Sequence, residues 1–284
     1  MTLSSSSTLP LRKARRRIPW ERWGIQLAAF SYLTALLLIP LAVIFQDGLQ
    51  DGPLQLWQSI VRPVPWSALG LTLWTALVMA LVNAVMGTLT AYVLVRYSFP
   101  GKSLLNIVVD LPLAIPTLIT GVTLVMLYGP QSLVGAWFKN QMDGRIIFAP
   151  PGIILALLFI SFPFVVRTVQ PVLEGLDHEV EDAAATLGAG SFKIFWRVTL
   201  PALRLPILSG TLLSFARAIG EFGAIVIVAG NIPLRTQTAA VYVYGQVESA
   251  NRQAASAMSI VMLLLAFGLV LLVDWLRRRR EHEK

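Results

Sequence analysis

Long apolar stretches alternate with short polar ones along most of the chain. Six of them reach the length that crosses a bilayer as a helix, about 20 mostly apolar residues. They cover residues 25–45, 69–95, 104–128, 152–169, 205–229 and 257–275. The longest polar interruption, "EDAAATLGAGSFKIFWRVTLP" at 181–201, has the pattern of a soluble helical module. Asp177 is placed to cap a helix that begins at His178. Glu179, Glu181 and Asp182 fall near its first turns, where the helix dipole favours negative charge. Ala183, Ala184 and Ala185 give a smooth helical face, and Gly188 suits a left-handed stop. Ser191 is then expected to cap a second helix. In it Phe192, Phe195 and Trp196 are spaced i, i+3, i+4, with Lys193 and Arg197 on another face. Pro201 marks the end of that helix or a kink into the fifth stretch. The pattern predicts an all-α polytopic membrane protein with one helix-turn-helix module between its fourth and fifth spans.

Composition supports a membrane protein. Of 284 residues, 56% are hydrophobic and 13% charged, about half the charged share of soluble domains. The mean hydropathy is +0.69. The chain has no cysteine, which excludes disulfides, thiolate metal sites and cysteine nucleophiles. The net charge of +8 suggests orientation in a membrane, not nucleic acid, because the basic residues cluster at the termini and in alternate loops.

Arg12, Lys13, Arg15, Arg16 and Arg17 precede the first span. No small-residue cleavage site follows it, so it is expected to be retained and not removed as a signal peptide. Arg96 and Lys102 lie between spans two and three. Arg167, Lys193, Arg197 and Arg204 are assigned to the loop between spans four and five, and Arg277, Arg278, Arg279 and Arg280 close the last span. The other three loops hold fewer basic residues. By the positive-inside rule both termini and the module are cytoplasmic, as an even number of spans requires. The predicted organisation is a basic tail at 1–24, a six-span domain at 25–276 with its module loop at 177–204, and a basic tail at 277–284. The serine run at 4–7 is expected to be disordered. Trp57 and Trp66 are expected to anchor the outer interface, and so are Tyr242 and Tyr244 in the loop after the fifth span, where docking of an outer partner is the alternative.

Within the spans, Gly87 and Ala91, and Gly210, Ser214 and Ala218, form small-residue faces suited to helix contact. Pro112 and Pro116 in the third span and Pro163 in the fourth predict kinks. With Asp110 beside them, the first two are candidate gating positions. Arg217 and Glu221 are spaced i, i+4 in the fifth span, with Arg217 ~18 Å from its cytoplasmic start at 1.5 Å per residue. Two roles stay open for them, a part of an anion pathway or an internal ion pair that fixes packing.

The motifs for other chemistries are missing. Phe99, Pro100, Gly101, Lys102 and Ser103 mimic the end of a phosphate-binding loop. Arg96, however, occupies its first glycine position, and a membrane helix precedes it where a strand is required. His178 and His282 are the two histidines and lie far apart in sequence, so a histidine metal site or a Ser-His pair has no support. For the module, two roles fit the residues: docking another protein, or lying on lipid. The acidic first helix favours docking, since the inner leaflet is anionic.

The module resembles the EAA signature of ABC-importer permeases. Asp182, Ala183, Ala184, Gly188, Val198, Leu200 and Pro201 match it, with Asp182 in place of the usual Glu and Val198 in place of Ile. Glu181 beside it is able to compensate. The runs "RYSFPGKSLLNIVVDLPLAIPTLITGVTL", "SFPFVVRTVQPVLEGLD" and "SFARAIGEFGAIVIVAGNIP" are similar to the T-type permease family of sulfate/thiosulfate importers, and "NIPLRTQT" is also similar to molybdate permeases. The first 60 residues and the loop at 131–145 carry little of the resemblance. It implies the type I permease fold of the molybdate/sulfate group, located in a bacterial inner membrane. It implies no enzyme activity in this chain, with ATP and Mg bound by a partner. The implied partners are a W-type permease, two ATP-binding subunits, an extracytoplasmic sulfate/thiosulfate-binding protein and membrane lipid. Glu181, Asp182, Ala183, Ala184, Gly188, Leu200 and Pro201 would dock the ATPase. A molybdate/tungstate permease is the nearest alternative. A secondary transporter and a membrane anchor are more distant ones.

Overall fold

The computed structural model describes residues 20–142 and 144–282. Residues 1–19 of the basic N-terminal tail, with its serine run, Asp143 and the last two residues lie outside the described residues. Among those described, the regular structure is helical: α1 Trp20–Leu33, α2 Ile39–Gly48, α3 Pro53–Val61, α4 Pro63–Arg96, α5 Lys102–Ala114, α6 Thr117–Tyr128, α7 Leu133–Met142, α8 Pro150–Glu174, α9 His178–Thr186, α10 Ser191–Ile194, α11 Leu200–Ile219, α12 Gly223–Ala229, α13 Ala239–Glu248 and α14 Arg252–His282. Five runs are long and apolar enough to cross a membrane: Trp23–Gly48, Pro63–Arg96, Pro150–Glu174, Ser191–Ile219 and Arg252–Trp275. Counting α5 and α6, bent by 109°, as one broken span brings the number to six.

The chain divides into two compact units, Met1–Val43 and Ile44–Lys284. In the first, the helix is mostly apolar from Trp23 onward, and Ile25, Leu27 and Phe30 are exposed. A π-helical turn, Thr34–Leu38, precedes Ile39 and Pro40. The second unit repeats this arrangement, with a π turn at Phe195–Thr199 ahead of Leu200 and Pro201. A proline ring clashes with the carbonyl four residues back and offers no N–H. Those carbonyls, of Leu36 and Arg197, lie inside the wide turns, where i→i+5 bonding makes room. At the second turn the Leu200 amide donates to the Phe195 carbonyl. Pro201 therefore does not end its helix, contrary to the expected stop. The second helix of the module and the fifth span are one run, Ser191–Ile219.

The other prolines divide into two kinds. Pro112 lies within α5, and Pro163 and Pro171 within α8, without ending either helix. Pro116 does break its span. Ile115 before it is extended, at φ −83° and ψ 128°, the conformation a following proline favours. The third stretch is thus two helices meeting at a sharp angle and not one kinked span. The stretch predicted at 205–229 is also divided, because α11 stops at Ile219 and α12 starts at Gly223. The two short helices that follow these breaks, α6 and α12, pack on each other, with Gly121 facing the Ala224 backbone.

The centre of the second unit is α4, α8 and α11. The small-residue faces meet there on two sides of one valine. A Cβ at Gly87 would lie 2.8 Å from the Val165 Cβ, and one at Gly210 would lie 3.0 Å from the Val165 Cα. Ala91, Ser214 and Ala218 are buried as well. Contact this close supplies dispersion attraction where lipid removes the hydrophobic drive between helices. Polar groups pin the same helices. The Asn83 amide reaches the Leu158 carbonyl at 3.4 Å, and the Ser214 hydroxyl donates to the Ser161 carbonyl at 3.2 Å. A third pin holds α13, whose Ala239 amide donates to the Thr72 hydroxyl at 2.8 Å.

The stretch after α12 is not an open loop. Within it α13 buries Tyr242 against Ile60, Ala68 and Met258. Tyr242 is a core residue and not an interfacial anchor, whereas Tyr244 is exposed. Trp57 and Trp66 are exposed and meet edge to face at 6.4 Å.

Candidate functional site

The module between α8 and α11 forms from its own sequence. Asp177 accepts the Glu179 amide at 3.0 Å and caps α9. At the other end Gly188 has φ +82°. The Gly188 amide donates to the Ala185 carbonyl and the Ala189 amide to the Ala184 carbonyl, the bond pair that closes a helix through a left-handed glycine. Ser191 does not cap α10. It is the first helical residue, Gly190 precedes it, and no side chain bonds there.

Beside the turn, Tyr92 of α4 packs edge to face on Phe195 at 5.1 Å. These rings border an apolar groove of about 570 Å³ with Val85, Leu89, Trp196 and Leu200. Phe192, at 79% exposure, is open to the surroundings.

The two acidic residues of the motif point different ways. Asp182 is exposed, as are Ala183 and Gly188, whereas Ala184, Leu200 and Pro201 are half-buried. Glu181 turns inward. One of its oxygens accepts the Arg96 guanidinium at 3.1 Å and the Thr199 hydroxyl at 2.7 Å. The Arg96 and Glu181 side chains are 6% and 14% exposed. This carboxylate joins the last turn of α4, helix α9 and the π turn ahead of α11.

A second polar cluster ties α5 to α8. Arg167 holds Asp110 with two parallel bonds, at 2.7 and 2.5 Å, and also donates to the Asn106 side chain and carbonyl and to Gln170. Asp110 is therefore one half of a bidentate ion pair, one turn before the break at Pro116. Arg167 is not in a loop but inside α8, which runs on to Glu174.

Arg217 and Glu221 do pair, at 2.8 Å. Glu221, however, lies past the end of α11 and not on it, and Arg217 sits in the last turn, where the helix dipole favours a cation. The Glu221 side chain is 2% exposed and that of Arg217 37%. The second Glu221 oxygen accepts the Ala224 amide at 3.1 Å. The carboxylate thus bridges the break between α11 and α12 with both oxygens engaged.

The model of a family described as "Binding-protein-dependent transport system inner membrane component" matches residues 83–282. The chain belongs to this family. Its match includes the module, both broken spans and all three ion pairs described above. Over 276 residues the permease is 39% identical to the "Probable sulfate transport system permease protein cysT" of Nephroselmis olivacea, covering 97% of this chain and 95% of that one. It is 41% identical over 260 residues to the "Sulfate transport system permease protein CysW" of Synechocystis sp., covering 92% and 94%. Its fold is similar to a chain in the crystal structure of a bacterial alginate ABC transporter in complex with an alginate pentasaccharide-bound periplasmic protein. That likeness has a TM-score of 0.74 at 18% identity and covers 92% of this chain and 94% of the other. The similarity to the sulfate permeases extends through the parts of the chain where the motif resemblance is weak. The family is one of transport permeases and not of enzymes.

Three residues of these clusters, Arg96, Arg167 and Thr199, carry no motif. No local pattern assigns Arg96 or Arg167 a partner. Their partners lie 85 and 57 positions away, beyond the reach of any local pattern.

Proposed function

We propose that the chain is the T-type permease subunit of an ATP-driven sulfate/thiosulfate importer and forms half of the translocation pathway. The near-full-length similarity to the Nephroselmis protein, at 39% identity, carries this reading. A W-type permease would form the other half. Two cytoplasmic subunits would bind ATP and Mg, and an extracytoplasmic binding protein would deliver the anion. The location is the bacterial inner membrane, with both termini in the cytoplasm. Basic residues support that orientation. Arg96 meets α9, and Lys102 shares a cavity with Glu174 at the end of α8. Lys193 in α10, Arg197 in the π turn and Arg204 in the first turns of α11 belong to the same part of the chain.

The exposed face of Asp182, Ala183 and Gly188 would seat against the ATPase. Movement of the ATPases would displace the module, and α10 passes that displacement on because it continues into α11 without a break. The breaks at Pro116 and at Gly220–Phe222 give the pathway side two joints. Arg217 and Glu221 serve as a structural pair at the second joint, a role supported by the burial of Glu221 and its bond to the Ala224 amide. Labelled-sulfate uptake by cells with and without the gene tests the function, with thiosulfate and molybdate as competitors. Loss of sulfate uptake that thiosulfate competes and molybdate does not is the expected result. Lost molybdate uptake with unchanged sulfate uptake would move the chain to the molybdate branch.

A further inference from the structure

We propose that Glu181 does not dock the ATPase but acts with Arg96 and Thr199 as an internal strut, carrying displacement of the module into α4 as well as α11. The inference rests on the reading of α9 as the docking helix. Its basis is the division of the two neighbouring carboxylates. Asp182 is exposed and free to meet a partner, while Glu181 is 14% exposed and bonded inside the chain. An ion pair this buried, with a second hydrogen bond on the same carboxylate, is costly to break and short enough to transmit movement.

The strut reaches where the covalent path does not. Along the chain, α9 is attached through the turn at 187–190 to α10 and α11. Arg96 is the last residue of α4, whose other turns pack on α8 and α11. Thr199 is fully buried in the π turn just before Leu200. A single carboxylate therefore connects α9 to two of the three central helices. With the strut, a push on α9 moves α4 and α11 together. Without it, α9 keeps its outer docking face but loses its hold on α4. Arg96 and Thr199 are positioning residues that act through Glu181.

The test uses the whole complex, with both permeases, ATPase subunits and binding protein, in proteoliposomes. Labelled-sulfate uptake and ATP hydrolysis are measured on the same preparation. The wild-type complex must first show sulfate uptake driven by ATP. If it does not, the underlying functional reading fails, separately from the strut. In the Arg96→Gln variant the ATPase subunits are expected to co-purify as in wild type and hydrolysis to persist. Sulfate moved per ATP should fall about tenfold, within the range of ordinary coupling free energies. Thr199→Val keeps the side-chain shape, removes one bond and should lower the same ratio about threefold. Exchanging the charges, Arg96→Glu with Glu181→Arg, should recover most of the loss. An unchanged ratio in both single variants would overturn the proposal. So would loss of ATPase co-purification in step with transport, because that outcome makes Glu181 part of the dock.

Discussion

Glu181 and Glu221 are both inward-turned glutamates paired with arginine, yet they act over very different distances. Glu221 is local. Its partners, Arg217 and the Ala224 amide, lie within four residues on either side, so it shapes one break between two helices. Glu181 reaches Arg96, 85 positions away, and Thr199, 18 away, and so ties together segments that meet only in the folded chain. The contrast separates two uses of a buried carboxylate. A local pair replaces the backbone bonds lost where a helix stops. A long-range pair holds one element against another and carries movement between them.

The largest expected effect is at the local pair. Glu221→Ala leaves the Ala224 amide without its acceptor and Arg217 without its counter-charge, so the loss should approach about 3 kcal/mol. The thermal midpoint of the purified protein and its abundance in the membrane should both fall. Neutralising Arg217 as well should restore part of the loss. If Glu221→Ala is instead fully stable and only transport is lost, the pair belongs to the anion pathway. Next is Gly188→Val. Its Cβ would meet no neighbour within 4 Å, so the cost is purely that of φ +82°, about 1–2 kcal/mol for an L-residue in a left-handed conformation. The turn should open, with sulfate uptake lost and ATPase co-purification weakened. Full uptake would show that the turn does not set the module's shape.

A smaller effect belongs to the half-exposed pair. Arg167→Lys keeps the charge but loses the parallel bonds to Asp110 and those to Asn106 and Gln170. A loss of about 1 kcal/mol is expected, seen as a modest drop in thermal midpoint. A drop as large as that of Glu221→Ala would mean that exposure does not distinguish the two pairs. The smallest effect is expected at Phe192→Ala. At 79% exposure the ring buries too little surface within the chain to alter stability measurably, so any loss of uptake would locate a partner or lipid contact on that face.

The sequence alone determined the elements whose causes are local. Apolar length marked the spans, because lipid requires every backbone group to be satisfied within its own helix. The Asp177 cap and the Gly188 stop were legible because their partners lie within four residues. The glycine faces were legible from spacing, and their meeting on Val165 is a packing result.

Tertiary structure decided the rest. Pro112, Pro116 and Pro163 read alike in sequence as kinks, but of these Pro116 breaks its span while Pro112 and Pro163 lie within continuous helices. The EAA pattern placed both Glu181 and Asp182 at the dock. The inward turn of Glu181 depends on the end of α4 arriving beside it, as the Asp110–Arg167 pair depends on α5 lying along α8. A charge's neighbours in sequence fix its helix and its turn. The opposite charge it meets is chosen by helices whose packing no local spacing records.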